Sequence, residues 1–133
     1  MAILVSQDRF PLFTVILHTY YRPFFLKKSV EAIQNQTYEN LDIILIDDGA
    51  TEETKELLYE YNRNDKRIKL LHFVENQFRR DNPHRIIDIC FNAALEMSTG
   101  DYVWHQDDDD VIAKDYIEKM VKLFQPKVFS TAA

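Results

Sequence analysis

Two short runs in this 133-residue chain offer water almost no polar face. They are Phe13-Thr14-Val15-Ile16-Leu17 and Leu41-Asp42-Ile43-Ile44-Leu45-Ile46. Strands so rich in apolar and β-branched residues have to be covered on both sides, as the strands of a parallel sheet are. Each run is followed by a polar cluster and then by a helical pattern. After the first, Pro23 suits the opening turn of a helix, and Leu26, Val30 and Ile33 recur at three- and four-residue intervals while Lys27, Lys28 and Glu31 take other faces. After the second, a helix is expected from about Glu52 to Tyr61. Its inward stripe is Thr54, Leu57, Leu58 and Tyr61, and Glu52 and Glu53 complement the dipole at its start.

The alternation continues to the end of the chain. A third strand is expected over Ile68 to Val74, then an irregular polar segment from Glu75 to Pro83. A largely buried helix follows, with Ile86, Ile87, Cys90, Ala93, Ala94 and Met97 on its apolar face, ending near Ser98-Thr99-Gly100. The fourth strand is Asp101 to His105. A last helix carries Tyr116, Ile117, Met120, Val121 and Phe124 on one face and stops at Pro126. Strands alternating with helices imply right-handed crossovers, so the expected fold is α/β: an open parallel sheet with helices on both faces, in a single domain over residues 1–133.

Composition narrows the functions available. With 46% apolar residues the chain can form a substantial core, and its net charge of −6 argues against a nucleic-acid binder that works by neutralising phosphates. An anionic ligand would need a local cation, a metal or a helix N-terminus. The single cysteine, Cys90, has no partner for an intramolecular disulfide and lies in an apolar helical pattern, which reads as an inert buried thiol in a reducing compartment. The opening Met1-Ala2-Ile3-Leu4-Val5 is too short and lacks the basic flank of a signal peptide, and no stretch approaches the roughly 18 apolar residues of a membrane span. A cytoplasmic location is the expectation. Only two glycines occur, Gly49 and Gly100, both at element junctions, so neither a Gly-x-Gly-x-x-Gly loop nor a Walker motif is present.

The chemistry is expected where the strands end. In an open parallel sheet, ligands lie beyond the carboxyl ends of the strands. Three polar clusters follow strands here: His18 to Arg22, Asp47-Asp48, and Asp107 to Asp110. Taken singly, four consecutive acids are a solvated loop that also starts a helix. Two acidic clusters converging on one rim, with few basic residues among them, suit a hard divalent cation, Mg²⁺ or Mn²⁺, that bridges a phosphate-bearing ligand. His105 reads as a histidine packed at a strand end, and Trp104 and Phe91 read as core.

The succession Thr14-Val15-Ile16-Leu17-His18-Thr19-Tyr20-Tyr21-Arg22-Pro23, then Gln36-Thr37-Tyr38-Glu39-Asn40-Leu41 through Asp47-Asp48-Gly49-Ala50-Thr51, then Asn92-Ala93-Ala94 and Gly100-Asp101-Tyr102-Val103 leading to Asp107-Asp108-Asp109-Asp110, resembles the nucleotide-sugar-binding half of family 2 inverting glycosyltransferases. The likeness runs over about residues 12 to 125. It implies the GT-A, Rossmann-like fold with strand order 3-2-1-4, and a UDP-sugar donor bound through Mn²⁺ or Mg²⁺.

It also implies residue roles. His18, Thr19 and Tyr20 would line the base pocket, Arg22 would bring charge near the phosphates, and Asp48 would accept a hydrogen bond from the uracil imide. Asp107 or Asp108 would bind ribose or sugar hydroxyls, Asp109 would ligate the metal with Asp107 beside it, and Arg79, Arg80 or Arg85 would add a phosphate contact. Four positions depart from the family's habit: His18 stands where proline is common, Tyr21 for asparagine, Ala50 for serine and Phe91 for arginine.

The resemblance further implies transfer to a carbohydrate or other acceptor hydroxyl with inversion. The family's general base comes from a later segment that also builds the acceptor site. The expectation is therefore a donor-binding part, inactive or weakly active alone, with no catalytic base of its own. A homodimer through an open sheet edge is a further expectation.

Two rivals stand beside this reading. A non-catalytic nucleotide-sugar-binding or assembly module would keep the fold without turnover. A phosphorelay receiver shares an acid pair after a strand, but begins with that strand and needs a phosphoacceptor Asp and a later Lys that this chain does not offer.

Overall fold

The computed structural model describes residues 10–124; the opening Met1 to Val5 and the expected stop at Pro126 lie outside them. Strands β1 (Phe13–Thr19), β2 (Leu41–Asp48), β3 (Ile68–Phe73) and β4 (Tyr102–Asp107) alternate with helices α1 (Pro23–Gln34), α2 (Glu52–Asn64), α3 (Asn92–Met97) and α4 (Tyr116–Phe124). The sheet is parallel throughout, in the order β3-β2-β1-β4.

The two apolar strands are the two central ones, and β2 is buried along its whole length. Side chains alternate across a strand, so each strand feeds two layers. Phe13, Val15 and Leu17 face Leu26, Val30 and Ile33 of α1, Leu58 of α2, and Ile117 and Val121 of α4. Ile16, Ile44 and Ile46 face the other way, onto Cys90, Phe91 and Ala94. Helices therefore cover both faces, as expected, with three on one side and one on the other.

That single helix is not regular. Ile86–Phe91 forms a π-helical segment that runs directly into α3. The wider turn sets residues five apart above one another, and so Ile86 and Phe91 pack together while Ile87, expected on the buried face, is 54% exposed. Regular helical spacing had placed both isoleucines on the buried face, and only Ile86 packs there.

Gln36 joins the α1 end of the molecule to α4. Its Nε2 donates to the carbonyls of Ala32 and Ala113, and its Oε1 accepts the Ile117 N–H at 3.0 Å. One buried carboxamide thereby satisfies a donor at the start of α4 that would otherwise lack a partner. No helix among the described residues is long and apolar enough to cross a membrane.

Candidate functional site

Parallel register brings the strand ends level. His18 lies beside Ile46 on one side and Asp107 on the other, Thr19 lies beside Asp47, and Asp48 lies beside Phe73. The polar clusters thus share one rim, at the carboxyl edge where an open parallel sheet binds its ligands. Within that rim the acids divide sharply by burial.

Asp47 and Asp48 are both buried. Asp47 closes its own turn: Oδ1 accepts the Ala50 N–H at 2.7 Å, and Oδ2 pairs with His72 Nδ1 at 2.8 Å. Gly49 makes the turn possible with a φ of +63°, and a Cβ there would lie 2.4 Å from the Asn76 nitrogen. That close approach delivers the loop after β3 to Asp48. Asp48 Oδ1 accepts the Gln77 N–H at 2.7 Å, and Oδ2 accepts from His18 Nε2 at 2.8 Å and from Asn76 Nδ2 at 3.0 Å.

A carboxylate with no exposure is tolerated only when its oxygens are supplied in this way. The Cys90 thiol lies within 4.8 Å of an Asp48 oxygen. Burial first, and then the Asp48 charge, push that thiol up to about 12, which leaves it protonated and inert.

The acidic run continues the alternation of β4 for two residues beyond its apolar part. Gln106 points in, Asp107 out and Asp108 in again. Asp108 Oδ2 accepts the Thr19 hydroxyl at 2.9 Å, its Oδ1 pairs with Arg22 Nη2, and Arg22 Nη1 reaches Asp109 Oδ2 at 3.2 Å. Burial works against the Arg22 charge, but Asp108, and Asp109 after it, hold the guanidinium above its ordinary value. From beneath, Gln106 Nε2 donates to Ser29 Oγ at 2.6 Å and to the Asp110 carbonyl at 3.0 Å, and Ser29 Oγ donates to the Asp107 carbonyl.

The turn is thus fixed from below and from one side while Asp107, Asp109 and Asp110 stay exposed. One carboxylate oxygen from each lies within 4.8 Å of the other two. Like charges at that spacing repel, and an all-oxygen set suits a hard divalent cation. His105, half-exposed, has its Nε2 3.6 Å from Asp107 Oδ1 and its ring centroid 3.6 Å from that of Phe91. Burial lowers its pKa below the usual histidine value, against the opposing pull of Asp107.

Between the strand ends and the loop after β3 opens a cleft of about 290 Å³. Of the residues singled out in the sequence, His18, Tyr20, Arg22 and Asp108 line it, joined by Tyr21, Asn76, Phe78 and Ile86. Tyr20 and Tyr21 meet edge to face with centroids 5.3 Å apart. Asp48 lies behind His18, and Thr19 is buried against Asp108.

Of the three candidate arginines, Arg79 is spent on its own loop, donating to the Asn76 and Phe78 carbonyls. Arg80 is exposed, and Arg85 keeps a buried Nε that has no hydrogen-bond partner. Sequence reasoning missed Ser29, Asn76, Gln77 and Gln106. Gln106 was detectable, because it extends the inward row of Tyr102 and Trp104. Asn76 and Gln77 stand in a loop with no periodicity to mark them.

Comparison with known proteins bears on the family and the fold. The family model for glycosyl transferase family 2 matches residues 14–130. An uncharacterized glycosyltransferase of Haemophilus influenzae is 35% identical over 111 residues, covering 84% of this chain and 41% of that protein. A GalNAc(5)-diNAcBac-PP-undecaprenol beta-1,3-glucosyltransferase of Campylobacter jejuni is 33% identical, over 75% of this chain and 30% of that protein. This chain therefore spans well under half the length of these relatives.

Among solved structures, S. aureus TarS in complex with UDP-GlcNAc superposes with a TM-score of 0.69 at 24% identity, over 84% of this chain and 30% of that one. The mannosyltransferase PcManGT from Pyrobaculum calidifontis, in complex with GDP-Man and Mn²⁺, superposes with a TM-score of 0.69 at 26% identity, over 87% and 33%. The parallel 3-2-1-4 sheet is thus the GT-A arrangement of these enzymes, and by fold, by motif order and by family model alike the chain belongs to glycosyl transferase family 2.

Proposed function

We propose that this chain is the donor-binding part of an inverting glycosyltransferase, which holds a UDP-sugar with the help of Mn²⁺ or Mg²⁺ and passes the sugar to an acceptor hydroxyl. The observation that carries the proposal is the set of exposed carboxylates Asp107, Asp109 and Asp110, within 4.8 Å of one another at the carboxyl edge that also opens the cleft. Oxygen donors alone fit a hard cation, and Asp109 with Asp107 would hold it. When bound, the metal supplies positive charge against the diphosphate as the bond to the sugar breaks.

The other roles follow from what each side chain has left to offer. Both oxygens of Asp108 are engaged by Thr19 and Arg22, which leaves Asp107 as the acid able to accept a ribose or sugar hydroxyl. Asp108 instead aims Arg22 into the cleft. Tyr20 offers an aromatic face to a base, and Arg85, with its orphaned Nε, is the better supported of the candidate arginines for a phosphate contact.

Single displacement needs a base that deprotonates the acceptor hydroxyl. That group would come from the further length the relatives possess, along with the acceptor site. Support for the donor class comes from TarS, solved with UDP-GlcNAc, and for the metal from PcManGT, solved with GDP-Man and Mn²⁺. Titrating the protein with UDP, with and without Mn²⁺, tests the proposal. Metal-dependent binding is the expected result, and absence of any nucleotide binding rejects it. Release of UDP from UDP-sugars then separates turnover from a binding module that only holds its ligand.

A further inference from the structure

We infer that Gln106 and Ser29 are positioning residues for the metal: from beneath, they hold the turn at 107–110 in the shape that gathers its carboxylates before a cation arrives. The inference rests on the donor-binding reading above and adds to it two residues that touch no ligand. Both stand where a fold of this kind ordinarily places an apolar side chain. Ser29 shares the buried stripe of α1 with Leu26, Val30 and Ile33, and Gln106 continues the inward row of Tyr102 and Trp104. Neither is more than 1% exposed.

Their hydrogen bonds end on the backbone of the turn. The Asp110 N–H closes it onto the Asp107 carbonyl at 3.2 Å, and Ser29 Oγ donates to that same carbonyl at 3.3 Å. Gln106 Nε2 donates to Ser29 Oγ at 2.6 Å and to the Asp110 carbonyl at 3.0 Å, so one carboxamide ties both ends of the turn. A carbonyl only accepts, which obliges the amide nitrogen to face Asp110. The Gln106 Oε1 is thereby left buried with no hydrogen-bond partner among the described residues. A buried acceptor without a donor costs stability, and a side chain of the same length without polar atoms would avoid that cost.

What the glutamine gives in return is a fixed turn. Asp107, Asp109 and Asp110 each bring one oxygen within 4.8 Å of the other two, and like charges so close drive a free loop apart. A turn held by its backbone cannot open to relieve that repulsion, and a cation that relieves it meets ligands already in place.

Mn²⁺ alone is the probe. Electron paramagnetic resonance follows the free aquo ion through a titration and gives the affinity without turnover. Gln106→Met keeps the length of the side chain and removes its polar atoms. It should lose about tenfold or more in Mn²⁺ affinity, the common effect of removing a group that orients metal ligands, while its urea midpoint holds or rises because the orphaned oxygen is gone. Thr14→Val removes a buried polar group at the opposite end of the sheet, where Thr14 Oγ1 donates to Asp42. It should lower the urea midpoint and leave Mn²⁺ affinity as in the wild type.

Unchanged Mn²⁺ affinity in Gln106→Met overturns the inference and leaves the donor reading standing. So does a loss of affinity matched in Thr14→Val, since general loosening of the fold then explains both. A wild type that takes up no Mn²⁺, alone or with UDP, rejects the metal reading and this inference with it. Should Gln106→Met not fold, Ser29→Ala decides: it cuts the link to the Asp107 carbonyl and should weaken Mn²⁺ binding where Thr14→Val does not.

Discussion

The two edges of the sheet use the same residue type to opposite ends. At the amino edge, Asp42 is buried and every interaction is closed: Oδ1 pairs with Lys69 Nζ at 2.8 Å, and Oδ2 accepts the Thr14 hydroxyl and the Thr99 N–H, each at 2.9 Å. Thr14 Oγ1 in turn accepts the Gly100 N–H, and Asp101 takes the Leu12 N–H. At the carboxyl edge, Asp108 and Asp48 are saturated in the same manner, yet they underlie Asp107, Asp109 and Asp110, which have far more oxygens than donors. An aspartate is structural when its environment supplies its hydrogen bonds, and it is available to a ligand when it does not. Among the described residues, the carboxyl edge sets the two kinds together, one layer supporting the other.

The largest effect should separate the edges outright. Asp109→Ala should reduce Mn²⁺-dependent UDP affinity by about 100-fold or more, since even a group outside the ligand shell commonly costs 10–100-fold in metal affinity. Asp42→Asn should leave that affinity unchanged and lower the midpoint of urea unfolding instead. Equal losses of binding in both variants would break the comparison.

The two glycines sharpen it. At Gly100 a Cβ would lie 2.4 Å from Thr14 Oγ1 and 2.7 Å from the Thr14 nitrogen, and at Gly49 it would lie 2.4 Å from the Asn76 nitrogen in a backbone that already has positive φ. Alanine at either position should destabilise the fold by about 1–3 kcal/mol through overpacking, with Gly49→Ala the worse of the two because of its backbone. Their functional effects should differ. Gly49→Ala displaces the loop that carries Asn76 and Gln77 to Asp48 and should weaken nucleotide binding. Gly100→Ala strains only the amino edge. Denaturation and UDP titration on the same two samples check both statements.

The edges also differed in how plainly the sequence announced them. The four strands, their parallel arrangement and the acids at their ends were legible, because apolar runs and strand-end acids are local signals. What each acid does was not legible. Asp107, Asp108 and Asp109 are adjacent and chemically identical, and their division into exposed, buried and exposed follows from the pleat of β4 and from Thr19 and Arg22, 89 and 86 residues away in sequence. Asp48 was expected to meet the ligand. How deeply it is buried depends on the Asn76 and Gln77 loop, which carries no pattern. The π-helical turn escaped for the same reason: Ile86 and Ile87 look alike in sequence, and only the wider turn decides which of them faces the sheet.

The smallest effects belong to the amino edge. Burial would by itself raise the Asp42 carboxyl, but the hydrogen bonds from Lys69, Thr99 and Thr14, together with the lysine charge, bring it below its ordinary value. Asp65 is lowered as well, first by Arg67 and against its own burial. For carboxylates lowered in the folded state, the unfolded chain binds more protons in acid, so their contribution is complete above about pH 4 and is lost as pH falls through the folded values. Lys69 is 40% exposed and solvent screens the pair, so Lys69→Met should cost only about 1 kcal/mol at neutral pH. The same variant should flatten the acid limb of a plot of unfolding free energy against pH, because Asp42 then has less to lose on protonation. An unchanged acid limb would mean that the closed hydrogen bonds of this edge hold Asp42 without the lysine, and that its saturation is a matter of backbone and hydroxyl donors alone.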